Sequence, residues 1–234
     1  MNRICVKSFL ALIYFLCIAA PLVTAEPVVQ SKINPRYIGQ PYDPRYNSIA
    51  YLSNSSVACS GSVIAKRLIL TAKHCVDAFA RTSTKVYVRG RTYTAQKGFK
   101  IPRSDLAVIL IKGKFSNAAA FGLRPDLIPG PGQDVFGMGF GAPNPGYLYG
   151  GLMTVFGESP GPYFWAYARE GNSACPGDSG GPALVKYNGK IVVIGVVSGG
   201  TSSICSTAND VLFYNPTYSA FYRNIKAMMK RYSK

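Results

Sequence analysis

Gly177-Asp178-Ser179-Gly180-Gly181-Pro182 is the stretch on which the reading of this chain turns. Its serine is flanked by glycines that permit a sharp turn and let another backbone approach closely. A serine hydroxyl is a poor nucleophile at neutral pH, so a base must take its proton as it attacks. The chain holds one histidine, His74, in Thr71-Ala72-Lys73-His74-Cys75. A lone histidine is more often structural than chemical, and its weight comes from its company. Asp105 opens the apolar run Asp105-Leu106-Ala107-Val108-Ile109-Leu110. A carboxylate leading a buried strand needs a partner, and an imidazole N–H suits it.

These three side chains suffice for nucleophilic acyl transfer. Histidine titrates near neutrality, accepts the serine proton and returns it to a leaving amine. The aspartate fixes the imidazole tautomer and stabilises the imidazolium. The backbone N–H groups of Gly177 and Ser179 are the candidate oxyanion hole, each worth on the order of 10²–10³ in rate. Chain order discriminates among the known serine plans. Gly177-x-Ser179-x-Gly181 matches the nucleophile elbow of α/β-hydrolases, but that plan needs a histidine after the serine and none follows. An aspartate-histidine-serine order would need Asp43, which no motif supports. The order His74, Asp105, Ser179 is that of chymotrypsin.

The three segments around His74, Asp105 and Ser179 resemble the signature segments of trypsin-like (chymotrypsin-fold) serine proteases. The resemblance spans roughly residues 37 to 234. It implies an all-β fold of two six-stranded antiparallel β-barrels with a C-terminal α-helix. His74 and Asp105 would come from the first barrel and Ser179 from the second, meeting in the cleft between. It further implies an endopeptidase working through an acyl-enzyme and acting on proteins or peptides; no calcium-loop pattern is evident, so no cofactor and no metal are expected, and the expected state is a monomer. By the same resemblance, disulfide Cys59–Cys75 clips the loop bearing His74, and Cys175–Cys205 joins the walls of the primary specificity pocket; the residues alone leave the other pairings open. Ser198, Gly199 and Gly200 would pair with substrate, although the family's tryptophan is replaced by Gly199. Ser173 stands where trypsins carry aspartate, and Asp210 falls near the other pocket-floor position. An inward Asp210 favours Lys or Arg at P1, which is the expected preference, whereas an outward one leaves a neutral pocket. Cleavage after Arg36 would free the ammonium of Tyr37 to pair with Asp178, although tyrosine and glutamine (Gln40) replace small family residues in Tyr37-Ile38-Gly39-Gln40.

The remainder of the chain agrees with many strands and tight turns. Of 234 residues 48% are hydrophobic, with 24 glycines and 16 prolines between short apolar runs. Strands are expected at 62–65, 68–70, 85–89 and 105–111, then at 134–138, 152–156, 163–168, 183–186, 191–198 and 211–214. The first barrel is expected over about 37–121 and the second over about 133–215, with residues 122–133 a turn-rich connection. A helix is expected at about 216–232, capped by Asn215, with Pro216 in its first turn and Phe221, Ile225, Met228, Met229 and Tyr232 at helical spacing.

Residues 1–25 read as a signal peptide: Arg3 and Lys7, an apolar run from Phe9 to Ala20, then Val23-Thr24-Ala25. Residues 26–36 would be a short propeptide. Export to the extracellular space or periplasm suits the four cysteines left, an even number for an oxidising compartment. One histidine and no Cys-x-x-Cys argue against a zinc site. The formal charge is +16, and loss of Arg3 and Lys7 leaves +14. Such a surface can steer toward acidic substrates, polyanions or membrane headgroups, but solubility and non-specific attraction account for it more simply, and no basic block with interleaved aromatics marks a nucleic-acid footprint. Asn54-Ser55-Ser56 is a formal glycosylation sequon. Two other functions fit the same fold: a catalytically silent protein that binds polyanions, and an esterase.

Overall fold

The computed structural model describes residues 46–54, 57–79, 84–116, 118–125, 127–141, 148–157, 161–168, 174–201 and 210–232. The expected signal peptide and propeptide, the Arg36–Tyr37 bond, Ser173, Cys205 with its expected bond to Cys175, and Ser55-Ser56 of the sequon lie outside the described residues.

Six strands close the first barrel: β1 (Ile49–Ser53), β2 (Ala58–Ala65), β3 (Leu68–Ala72), β4 (Lys85–Val88), β5 (Arg91–Lys100) and β6 (Leu106–Ile111), in the order β1-β2-β3-β6-β5-β4. A short helix, α1 (Lys73–Phe79), leaves β3 directly. A two-residue strand, β7 (Gly122–Leu123), follows the first barrel. The second barrel comprises β8 (Asp134–Gly139), β9 (Tyr149–Phe156), β10 (Tyr163–Ala168), β11 (Pro182–Tyr187), β12 (Lys190–Gly200) and β13 (Asp210–Tyr214). Its order is β8-β9-β10-β13-β12-β11, and β11 closes it by pairing with both β12 and β8. The chain ends in helix α2 (Ser219–Tyr232). This is the expected all-β pair of six-stranded antiparallel barrels with a C-terminal helix. No helix among the described residues is long and apolar enough to cross a membrane.

The hairpins follow from local chemistry. Arg89-Gly90 between β4 and β5, and Asn188-Gly189 between β11 and β12, have φ of 52° and 69°, and of 49° and 74°. Two successive left-handed residues make the tight turn whose twist matches the flanking strands, for which Asn-Gly is the best sequence.

Period-two alternation then sorts side chains between two destinations. In β3, Ile69 enters the first barrel's core, while Leu68 and Leu70 face the seam between barrels. In β6, Ile109 and Ile111 point inward and Leu106, Val108 and Leu110 join the seam. From the other side β8 contributes Val135 to its own core and Phe136 and Met138 to the seam. Strands buried on both faces thus read as unbroken apolar runs. Phe221 and Ile225 of α2 seal the same seam, each fully buried aliphatic or aromatic side chain there contributing roughly 1.5–3 kcal/mol.

Three local expectations need correction. Asn215 does not cap a helix at Pro216: its Oδ1 accepts the Thr217 N–H at 2.8 Å and the Thr217 hydroxyl at 2.7 Å, closing a turn first. The Tyr218 carbonyl then accepts the Tyr222 N–H at 2.9 Å, and α2 starts at Ser219. The stretch 122–133 is not all connection, because β7 adds to β12 in parallel. Strands β1 and β5 and helix α1 were not among the expected elements. β5 is mostly exposed and polar, so it lacks the apolar signal a strand usually gives.

Candidate active site

His74 is the second residue of α1, immediately beyond the end of β3, and Asp105 immediately precedes β6. Strands β3 and β6 are antiparallel neighbours, with Ala72 opposite Leu106, so the two side chains emerge at one end of the barrel. The Lys73 N–H donates to the Asp105 carbonyl at 3.1 Å, and the His74 N–H donates to Asp105 Oδ1 at 3.0 Å. His74 Nδ1 lies 2.7 Å from Asp105 Oδ2. The Ser198 hydroxyl donates to the same oxygen at 2.6 Å. Burial pushes the Asp105 carboxyl up, but the His74 ring, Ser198, the His74 N–H and the attraction of the imidazole outweigh it and hold the carboxyl below its usual value. Asp105 is therefore an ionised acceptor with Nδ1 held against it. Nε2 is the ring nitrogen left for a hydroxyl.

Ser179 approaches from the second barrel. Its carbonyl accepts the Ser60 N–H at 2.7 Å, and Cys75 Sγ lies 3.6 Å from that oxygen. The disulfide Cys59–Cys75, with Cα atoms 6.2 Å apart, ties β2 to α1 beside it, as expected. No hydrogen bond joins the Ser179 hydroxyl to His74, a common state of such pairs without substrate. The chain around the serine is held by short bonds. The Asp178 N–H donates to the Cys175 carbonyl at 2.9 Å, Gly181 N–H to the Asp178 carbonyl at 2.8 Å, and Gly180 N–H to the Val197 carbonyl at 2.7 Å. Among the described residues neither the Gly177 nor the Ser179 N–H is spent on an acceptor. Gly177 has a φ of 104°.

Asp178 points away from the cleft. Its Oδ1 accepts the Gly141 N–H and its Oδ2 the Cys175 N–H, both at 2.8 Å. A Cβ on Gly139 would stand 2.2 Å from Oδ1, and one on Gly141 would stand 2.7 Å from Oδ2. Gly139-Phe140-Gly141 is thus a cradle only glycines permit. Although the residue keeps some exposure, its carboxylate is enclosed, and burial raises its pKa to about 6 against the pull of the two N–H donors. No cation pairs with it among the described residues.

A cavity of about 270 Å³ opens beside Ser179, walled by Ala174, Cys175 and Pro176 on one side and by Val197, Gly199, Gly200 and Thr201 on the other. Ser198 lies on β12 between these wall residues, and its hydroxyl is turned to Asp105. No carboxylate is among the described lining residues. Asp210 is not among them, and its backbone is bonded to the lining residue Thr201: its N–H donates to Thr201 Oγ1 at 3.1 Å and its carbonyl accepts the Thr201 N–H at 3.0 Å.

Two features were missed in the sequence. The Gly139-Phe140-Gly141 cradle carried a signal, paired glycines at the end of an apolar strand. Ser60 carried none, because its partners are distant in sequence: its hydroxyl donates to the Gly177 carbonyl and accepts the Phe140 N–H, both at 2.8 Å.

The sequence profile of the family described as Trypsin matches residues 38–223. Brachyurin of Leptuca pugilator is 27% identical over 68% of this chain and 83% of its own length. Cercarial protease of Schistosoma mansoni is 25% identical over 66% of this chain and 75% of its own. Among solved structures, neuropsin, a serine protease expressed in the limbic system of mouse brain, superposes with a TM-score of 0.65 at 18% identity, covering 81% of this chain and 97% of that one. That last likeness bears on the fold alone.

Proposed function

The chain belongs to the trypsin family of serine proteases, and on that premise we propose that it is an active, secreted endopeptidase whose nucleophile is Ser179. The observation that carries this reading is the fixed His74–Asp105 pair, 2.7 Å apart, at the barrel end against which the Ser179 loop docks.

The chemistry follows. With Asp105 holding Nδ1–H, His74 Nε2 takes the Ser179 proton as Oγ attacks the scissile carbonyl. The carbonyl oxygen becomes an oxyanion that accepts the uncommitted N–H groups of Gly177 and Ser179. The imidazolium returns its proton to the departing amine, and water, deprotonated by the same imidazole, releases the acyl group. The cavity beside Ser179 takes the P1 side chain, with Ser198 and Gly200 on the substrate-pairing strand. A preference for Lys or Arg at P1 rests on Asp210, whose backbone is bonded to Thr201 of the cavity wall, turning its carboxylate toward the cavity. The Asp178 carboxylate is enclosed beside the nucleophile, where a cation would offset the cost of its burial, and this supports activation by cleavage after Arg36 and docking of the Tyr37 ammonium against it. The even number of cysteines after residue 25 and the Cys59–Cys75 bond support an oxidising, exported destination.

The test is hydrolysis of a mixed peptide library by the wild-type chain and by Ser179→Ala, with the new termini read by mass spectrometry. Cleavage after Lys and Arg by the wild type and none by the variant supports the proposal. Cleavage only after Phe, Tyr or Leu overturns the P1 preference. No cleavage, with tight binding of heparin-like polyanions, favours the silent alternative, and ester hydrolysis without peptide hydrolysis favours the esterase. N-terminal sequencing of active protein beginning at Glu26 would sink activation after Arg36.

A further inference from the structure

We propose that Ser60, on β2 of the first barrel, is a positioning residue for the oxyanion hole on the second. The proposal rests on the reading that the Gly177 and Ser179 N–H groups receive the developing oxyanion.

An oxyanion hole is effective only if its donors are aimed before charge develops, because reorienting a peptide plane during the reaction costs part of the gain. Aiming an N–H means fixing the peptide planes beside it. The plane between Asp178 and Ser179 carries one of the two donors and is fixed through its carbonyl, which accepts the Gly181 N–H at 2.8 Å. The plane between Gly177 and Asp178 is held at both ends. Its N–H donates to the Cys175 carbonyl at 2.9 Å, within the loop. Its carbonyl accepts the Ser60 hydroxyl at 2.8 Å, from a different barrel 117 residues away.

Ser60 grips the loop a second time, since its own N–H donates to the Ser179 carbonyl at 2.7 Å. The two grips bracket the nucleophile. The backbone one survives any side chain, whereas the Gly177 one exists only because residue 60 has a hydroxyl. That hydroxyl is itself fixed: it accepts the Phe140 N–H at 2.8 Å, which leaves its proton directed at Gly177. Ser60 is fully buried, and its carbonyl is engaged by the Thr71 hydroxyl at 2.7 Å, so it has little freedom to turn elsewhere. Gly177, at φ 104°, is in a region with no side chain to stiffen it, and an external tie is what keeps that conformation populated. Phe140 lies between the two glycines that cradle Asp178, so one hydroxyl couples the nucleophile loop to the Asp178 cradle as well.

Ser60→Ala removes the tie and leaves the side chain nearly the same size. The expected result is a fall in kcat of about tenfold or more with KM within about twofold, the split expected when only transition-state stabilisation is lost. Diisopropyl fluorophosphate, which is small and indifferent to the P1 pocket, supplies a second readout. Ser179 Oγ bonds to phosphorus, fluoride leaves, and His74 takes the hydroxyl proton, with charge building on the phosphoryl oxygen. Its second-order inactivation rate is expected to fall by a similar factor. A folded Ser60→Ala enzyme with kcat and inactivation rate both within about twofold of wild type would overturn the clamp and leave the underlying function standing. A wild-type chain that neither cleaves peptides nor reacts with the fluorophosphate would overturn the function, and the clamp with it. Should Ser60→Ala fail to fold, Ser60→Thr carries the test: the retained hydroxyl predicts a wild-type inactivation rate, and a folded threonine variant that reacts about tenfold slower contradicts the proposal.

Discussion

The enclosed carboxylate of Asp178 makes a quantitative prediction about stability and pH. Its pKa is raised from the ordinary 3.8 to about 6 in the folded chain, so folding favours its protonated form. Stability from this group is fully present below about pH 4 and is lost as pH rises through about 6. A rise of that size corresponds to about 3 kcal/mol, an upper bound given the residual exposure of the residue. Asp178→Asn is neutral at every pH and lacks this dependence. In a Ser179→Ala background, which prevents self-digestion, guanidinium unfolding of the chain from Glu26 is measured at pH 4 and pH 7 with and without Asp178→Asn. On going from pH 7 to pH 4, the protein that keeps Asp178 is expected to gain up to about 3 kcal/mol more than the Asp178→Asn variant gains. If the ammonium of a chain starting at Tyr37 docks on the carboxylate as proposed, the extra gain should vanish or change sign. Parallel pH profiles for the Glu26 chain with and without Asp178→Asn would overturn this argument, because the carboxylate would then not be isolated from charge and water.

Four other perturbations probe the same geometry. Ser198→Ala removes one of the donors that hold the Asp105 carboxyl below its usual value, so that carboxyl should rise, as read by carboxyl NMR titration in a Ser179→Ala background, and an unchanged titration would remove Ser198 from that role. Replacing Cys59 and Cys75 together by alanine opens a loop with a sequence separation of 16 and should cost about 3 kcal/mol in denaturant unfolding under non-reducing conditions. Asp210→Ala should lower kcat/KM for Lys and Arg at P1 while sparing aromatic P1 substrates, and equal losses on both would remove Asp210 from specificity. Gly139→Ala drives a methyl into the Asp178 carboxylate and should abolish activity or folding, whereas Gly130→Ala, whose methyl meets open space, should be tolerated in a thermal melt.

The parts legible in the sequence were those whose signal is local. Apolar runs such as Leu106–Ile111 announce strands because both faces are buried, one in the barrel and one in the seam between barrels. The pairing of His74 with Asp105 was legible because a carboxylate leading a buried strand needs such a partner, and the Cys59–Cys75 bond because the family resemblance implied it. What escaped depends on contacts between distant segments. β5 carries polar residues toward solvent and is a strand because β4 and β6 flank it. The start of α2 is shifted by an Asn215 side chain that closes a turn, a choice that capping and turn preferences leave open. Ser60 looks like any strand serine until the fold brings Gly177 to it.

The proposed activity requires Ser179 to be an activated nucleophile, and a covalent probe reports on that without reference to any substrate. The purified, processed protein is treated with a fluorophosphonate, and the modified residue is mapped by peptide mass spectrometry, with His74→Ala and Ser179→Ala beside it. Expected are stoichiometric labelling on Ser179, loss of peptidase activity in step with labelling, and a rate at least about 10³-fold lower in His74→Ala. Labelling at another residue, or equal labelling of the His74→Ala protein, would be incompatible with a Ser179 activated by His74.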